Sequence, residues 1–255
     1  MFKRYCLFSI ATVLAFTSIA QRKHKSATIK PLVFADSATI SKRADSIKIA
    51  AILADTLTST AAEKGLKSLL QKVGLNASEK LAVPNGFFNN PPIKIGVPSD
   101  DQKLERGLRS LGYGKQVDIA IESINHTAED ASKGIAPILN DAINNTSLNN
   151  ALQVLKQSDT AGTAYFRNTI TTSLISSVRP LVVASMEKEG TAQKWSAAFN
   201  TVSRFGLNKS NTDLAGYISE RTVAGLFTQM ENEEIKLRSA PETKALDLFQ
   251  KLNKH

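Results

Sequence analysis

From about position 42 onward, apolar residues recur every three or four positions, and Gly and Pro fall mostly between the periodic stretches. That period stacks side chains along one face of an α-helix. A first helix is expected over 42–57, with Ile47, Ala50, Ala51, Ala54 and Leu57 on one face. Thr60-x-x-Glu63 has capping-box form and predicts a second helix, burying Leu66, Leu69, Leu70 and Val73 and stopping at Gly74. Residues 75–99 lose the period. Pro84, Gly86, Pro91, Pro92, Gly96 and Pro98 exclude a continuous helix, yet Phe87, Phe88, Ile93, Ile95 and Val97 need cover. A long packed loop follows, with room for a short extended hairpin.

Ser99-Asp100-Asp101-Gln102 reads as a cap for a helix ending at Gly112, and Gly112-Tyr113-Gly114 as a tight turn between two helices. The clearest amphipathic stretch is 115–133, with Val117, Ala120, Ile121, Ile124, Ala128 and Ala131 at helical spacing and Asp118, Glu122, Asn125 and Glu129 along a neighbouring stripe. Pro137 opens a short helix to Asn145, and Thr146 or Ser147 caps another at about 148–156. A long helix is expected over 160–189, kinked at Pro180 and ended by Gly190. Further helices are expected at 192–204 with Trp195, Phe199 and Val202, at Asp213 to about 238, and from Pro241 with Leu246, Phe249 and Leu252. No segment alternates with period two and no repeat of fixed length appears. The expected fold is all-α, a globular bundle of roughly nine to eleven helices in one domain over 42–255.

The first twenty residues differ in kind. Lys3 and Arg4 precede an apolar run from Leu7 to Ile19, and Ser18-Ile19-Ala20 supplies small residues for a cut before Gln21. That is signal-peptide form, and implies export, most simply to the periplasm. Cys6 lies at the start of the apolar run instead of its end, so a lipid anchor is not expected, and the mature chain would hold no cysteine and no transmembrane span. Residues 21–41, polar and basic around Pro31, read as a disordered tether.

Charge then needs locating. The net charge is +9, but eight of the 32 basic residues and one of the 23 acidic ones lie in the first 43 positions, leaving residues 44–255 near neutral at +2. A domain that grips phosphates carries its excess on the folded surface, so nucleic acid is not the expected partner.

Several pieces of sequence carry a family resemblance. Phe87-x-Asn89-Asn90-Pro91, Ile95-x-Val97-Pro98 and Leu111-Gly112-x-Gly114-x3-Asp118 come first. Asn125-x-x-Ala128-Glu129-x-Ala131 and Thr163-x-Tyr165-Phe166-Arg167 follow. Thr222-x-Ala224-Gly225-Leu226-Phe227, Glu233-Glu234-Ile235 with Arg238, Pro241 and Leu246-x-Leu248-Phe249 complete the order. Together they resemble the bacterial family called Domain of Unknown Function 4197, over about 50–253. His126-Thr127 stands where that family shows Arg-Ala, Gly96 where it shows Pro, and Asn150 where it shows Asp. No role resting on a charge at 126 or 150 therefore carries over. The resemblance implies export and a helical fold, and no reaction.

The chemistry is sparse. His24, His126 and His255 are the histidines, and His126-x-x-Glu129 is half of a di-iron pattern without its second half. No metal or cofactor is expected. Ser185-x-x-Lys188 lacks its partner motifs, and no Gly-x-Ser-x-Gly elbow occurs. If the chain has a polar site, the residues to carry it are Asp118, Asn125, Glu129, Tyr165 and Arg167, with Arg167 neutralising a carboxylate or holding an anion. The leading expectation is a non-enzymatic envelope module that binds a partner protein or an apolar or amphipathic ligand between helices. The alternatives are a hydrolase or lyase built on carboxylates near Asp118 and Glu129, and a helper in envelope assembly.

Overall fold

The computed structural model describes the backbone of residues 37–200 and 213–239, with side chains from residue 58 onward. Eight α-helices and a single 3₁₀ turn make up the regular structure among these residues, and no strand occurs. The helices are α1 Ser37–Leu81, α2 Gln102–Ser110, α3 Gly114–Ser132, α4 Ile135–Asn145, α5 Ala151–Leu155, α6 Ala161–Glu189, α7 Thr191–Phe199 and α8 Leu214–Ser239. The 3₁₀ turn, Ser99–Asp101, leads into α2. The chain divides into two units, Met1–Ile47 and Lys48–His255. Among the described residues the first holds only the start of α1.

The helix count falls below the expected nine to eleven for two reasons. The helices expected at 42–57 and 60–74 are one helix, and the helix expected from Pro241, like Val202, lies outside the described residues. Gly74 does not stop α1. A Cβ there would lie 2.5 Å from Leu139 Cδ2, so the missing side chain lets α4 approach mid-helix. Across it, Val73, Ala77 and Leu81 continue the buried i, i+4 stripe begun by Ala62, Leu66 and Leu70. The irregular segment is thereby shortened to 82–98, which holds turns and no hairpin.

One cap differs from expectation, and a second, found as expected, serves two helices. Asn150, in the left-handed region at φ 63°, precedes α5, whose start falls beyond Thr146 and Ser147. Gly190, at φ 62°, both ends α6 and starts α7. Pro180 lies inside α6, which continues to Glu189.

Packing centres on α6, which lies most extensively against α8 and also against α3, while α3 packs on α7 as well. Because α3 has neighbours on several sides, its small residues Ala120, Ser123, Thr127, Ala128, Ala131 and Ser132 are all buried. Small side chains let helix backbones come close, and the Thr127 and Thr191 hydroxyls share a hydrogen bond of 2.7 Å between α3 and α7. Phe166, Phe199 and Phe227 fill the larger gaps, with Phe166 edge-on to Phe227.

One polar tie between α3 and α6 is pH-sensitive. Asp130 accepts from Lys188 at 2.6 Å, Lys133 at 2.9 Å and Ser185 at 3.0 Å. The Lys188 ammonium is the main cause holding the Asp130 carboxyl down at about 2. A depressed carboxyl stabilises the fold above its unfolded value near 3.8 and stops doing so as pH falls toward 2. The lysines are solvated, so the contribution is about 1 kcal/mol. Urea unfolding of wild type and Asp130→Asn from pH 5 to pH 2 is expected to show a gap that closes below pH 4. A gap constant across that range would remove the carboxylate from the explanation.

Candidate functional site

Asn125 and Glu129 stand one turn apart on α3, so both project from the same face. That face meets the 82–98 segment. Asn125 Oδ1 accepts the Ile95 N–H at 2.8 Å, and Nδ2 donates to the carbonyls of Ile95 at 2.8 Å and Ile121 at 2.7 Å. The amide therefore pairs with Ile95 as a neighbouring strand would. Glu129 Oε1 accepts the N–H groups of Phe87 and Phe88, and Oε2 accepts that of Asn85, each at 3.0 Å. These three donors converge because the chain turns sharply at Asn85, which sits at φ 64°, a conformation Asn tolerates better than most residues.

Apolar groups complete the anchoring. Phe87 is fully buried and its ring lies over Gly225 of α8, where a Cβ would stand 2.6 Å from Phe87 Cε1. Tyr217 of α8 donates its hydroxyl to the Gly96 carbonyl at 2.9 Å. Phe88 lies partly exposed, with the Lys94 ammonium 3.8 Å from its ring centre and His126 edge-on at 6.2 Å.

The five sequence-derived site residues are not all brought together. Asn125 and Glu129 converge on the loop backbone. Asp118, eleven residues before Glu129 on α3, lies about 16 Å away along the helix axis. It is solvent-facing and pairs with Arg109 of α2 at 2.8 Å. Arg167 faces α8 instead of the α3 carboxylates, 3.1 Å from Glu231 and with its guanidinium 5.3 Å from the Phe227 ring centre. Tyr165 packs half-buried against the core. The stripe read as Asp118, Glu122, Asn125 and Glu129 thus splits, its first half exposed and its second half buried.

A second buried carboxylate performs the same kind of task. Glu234 of α8 is fully buried and accepts the N–H groups of Gly162 at 3.1 Å and Thr163 at 2.7 Å, at the start of α6. Arg238 donates to Glu234 Oε1 from Nε at 3.0 Å and Nη2 at 2.7 Å, and its Nη1 reaches the Leu155 carbonyl at the end of α5 at 3.1 Å. In the sequence Glu234 and Arg238 stand out only as part of the family resemblance, which does not point to a capping role. No sequence signal gave it away, because Thr160 is an ordinary N-cap residue, and only the structure has it making no side-chain cap bond. A long helix without a local cap needs an acceptor from elsewhere.

Glu233 faces the other way. Burial pushes its carboxyl up, but Lys80 and Lys236 more than offset that and hold it below the usual range. Among the described residues, no three His, Cys, Asp or Glu side chains group so as to hold a metal ion, and no helix is long and apolar enough to cross a membrane. A shallow surface groove of about 220 Å³ lies between α1 and α4, lined by Gln71, Leu75, Ala136, Leu139, Asn140 and Ile143. Leu75 at its edge is half exposed.

The contacts above join the same stretches that carry the sequence resemblance: 87–98 to Asn125, Glu129 and Gly225, and Thr163 to Glu234 and Arg238. No curated protein and no solved structure matches the chain. Residues 56–253, most of the chain, match the family described as protein of unknown function DUF4197, and the chain belongs to that family.

Proposed function

We propose that this is a non-enzymatic binding module of the bacterial envelope, exported by the leader at residues 1–20, tethered through 21–41, and engaging a partner protein or an amphipathic ligand through apolar surface. The observation that carries the proposal is how the buried polar groups are used. Asn125, Glu129, Glu234 and Arg238 each direct hydrogen bonds at backbone of neighbouring elements, the remainder going to the Ile121 carbonyl and between Arg238 and Glu234. Such groups hold a scaffold together. The α1–α4 groove, with an apolar floor and the Gln71 and Asn140 amides beside it, supports apolar contact as the mode of binding.

A photo-crosslinking residue placed at Leu75 in cells making the full chain is expected to trap one dominant species. The same probe at Val183, an exposed apolar position on α6, serves as control. Mass spectrometry of the adduct separates a protein from a lipid-like ligand. Equal labelling at the two positions, or none at Leu75, would count against the groove and the module together.

A further inference from the structure

We propose that the Asn85–Gly86 bond is a site of spontaneous modification, deamidation, and that the Glu129 carboxylate is the latch that restrains it. The chain holds thirteen glycines, and Gly86 alone follows an asparagine. Asn85 is exposed. In an Asn–Gly pair no side chain shields the glycine nitrogen, so it can attack the neighbouring side-chain amide. The Gly86 nitrogen bonds to Asn85 Cγ, the Cγ–Nδ2 bond breaks, and ammonia leaves with the proton the nitrogen gave up. Water then opens the five-membered imide at either carbonyl, giving aspartate or its iso form at position 85.

That attack requires the backbone between Asn85 and Gly86 to rotate, and three features oppose rotation. The Asn85 N–H is held by Glu129 Oε2 at 3.0 Å, with Phe87 and Phe88 fixed on the other oxygen. The Gly86 N–H donates to the Val83 carbonyl at 3.0 Å. Gly86 also lies so close to the end of α1 that a Cβ would stand 2.6 Å from the Leu81 carbonyl oxygen. The segment is thus chemically labile and mechanically held, and Glu129 supplies the hold that a single substitution can remove.

The products would not restore the latch. Either form adds a negative charge beside the Glu129 carboxylate. The iso form also lengthens the backbone by a methylene between N–H groups that must converge on two oxygens. Modification at position 85 therefore loosens the Asn85, Phe87 and Phe88 amides from Glu129 irreversibly.

The test is peptide-mapping mass spectrometry of the full purified chain, incubated at mildly alkaline pH, following the one-dalton gain at Asn85. The wild type is expected to react at least about tenfold more slowly than the urea-unfolded chain, the factor that about 1.4 kcal/mol of local opening confers. Glu129→Gln, which keeps one acceptor oxygen and so the fold, is expected to recover much of that rate. Tyr217→Phe, which frees the loop only at Gly96, is expected to leave it unchanged. Equal rates in folded and unfolded chain, or equal rates in wild type and Glu129→Gln, would overturn the proposal. Acceleration by Tyr217→Phe as large as that by Glu129→Gln would overturn the assignment of the latch.

Discussion

Replacing Glu234 with alanine is expected to destabilise the protein by about 3–5 kcal/mol, the range found when one partner of a buried ion pair is removed. Three losses coincide. The N–H groups of Gly162 and Thr163 lose their acceptor at the start of a 29-residue helix. Arg238, only 11% exposed, loses the carboxylate that neutralises it. The Arg238 bond to the Leu155 carbonyl then has no fixed base, and the α5–α6 connection loosens. Glutamine at 234 keeps an acceptor but not the charge, so a smaller loss is expected. The double variant Glu234→Leu with Arg238→Met removes both charges and should recover part of the alanine cost, because no unpaired ion remains. Urea unfolding of the four proteins measures all of this. A loss under 1 kcal/mol for Glu234→Ala would mean that the pair is solvated and that α6 is capped by other means.

Much of this architecture was legible because helical period is a local property. The faces of α3, α6 and α8 follow from spacing alone, and Val117, Ala120, Ile124, Phe166, Ile170, Leu174, Ile218 and Phe227 are buried as the period demands. The errors came where a local signal had a tertiary answer. Gly74 looks like a helix end, but glycine also permits close approach, and the deciding residue, Leu139, lies on a helix 65 positions later. The continuing stripe Val73, Ala77, Leu81 was present in the sequence and outweighed by the glycine. The candidate site fared likewise. Carboxylates on one helix face look equivalent in sequence, yet Asp118 meets solvent and Arg109 while Glu129 meets a folded-back loop. Which carboxylate is buried depends on where the 82–98 segment lies, and helical spacing says nothing about that. Charge alone groups Arg167 with the α3 carboxylates, whereas its helix presents it to Glu231 of α8.

The same distinction between a polar latch and an apolar anchor sets the expected outcome at Glu129. Alanine there is expected to cost about 3 kcal/mol, because a buried charged acceptor is worth about 1.5–3 kcal/mol and several donors share this one. The cost stays below the sum of three such bonds, since Asn85 and Phe88 are open enough to take water while Phe87 is not. Glutamine should cost about 1 kcal/mol, as its carbonyl oxygen can still serve Phe87 and Phe88. The loop should nevertheless stay in place. Phe87, Ile93, Ile95 and Val97 are all buried, and at about 1.5–3 kcal/mol for each large side chain their combined anchoring exceeds what the latch contributes. Hydrogen exchange should therefore quicken at the amides of Asn85, Phe87 and Phe88 in Glu129→Ala, while the Ile95 amide, held by Asn125, keeps its protection. If exchange instead rose together from 82 to 98, the carboxylate would be what keeps the segment folded back, and the apolar side chains would be followers of its position.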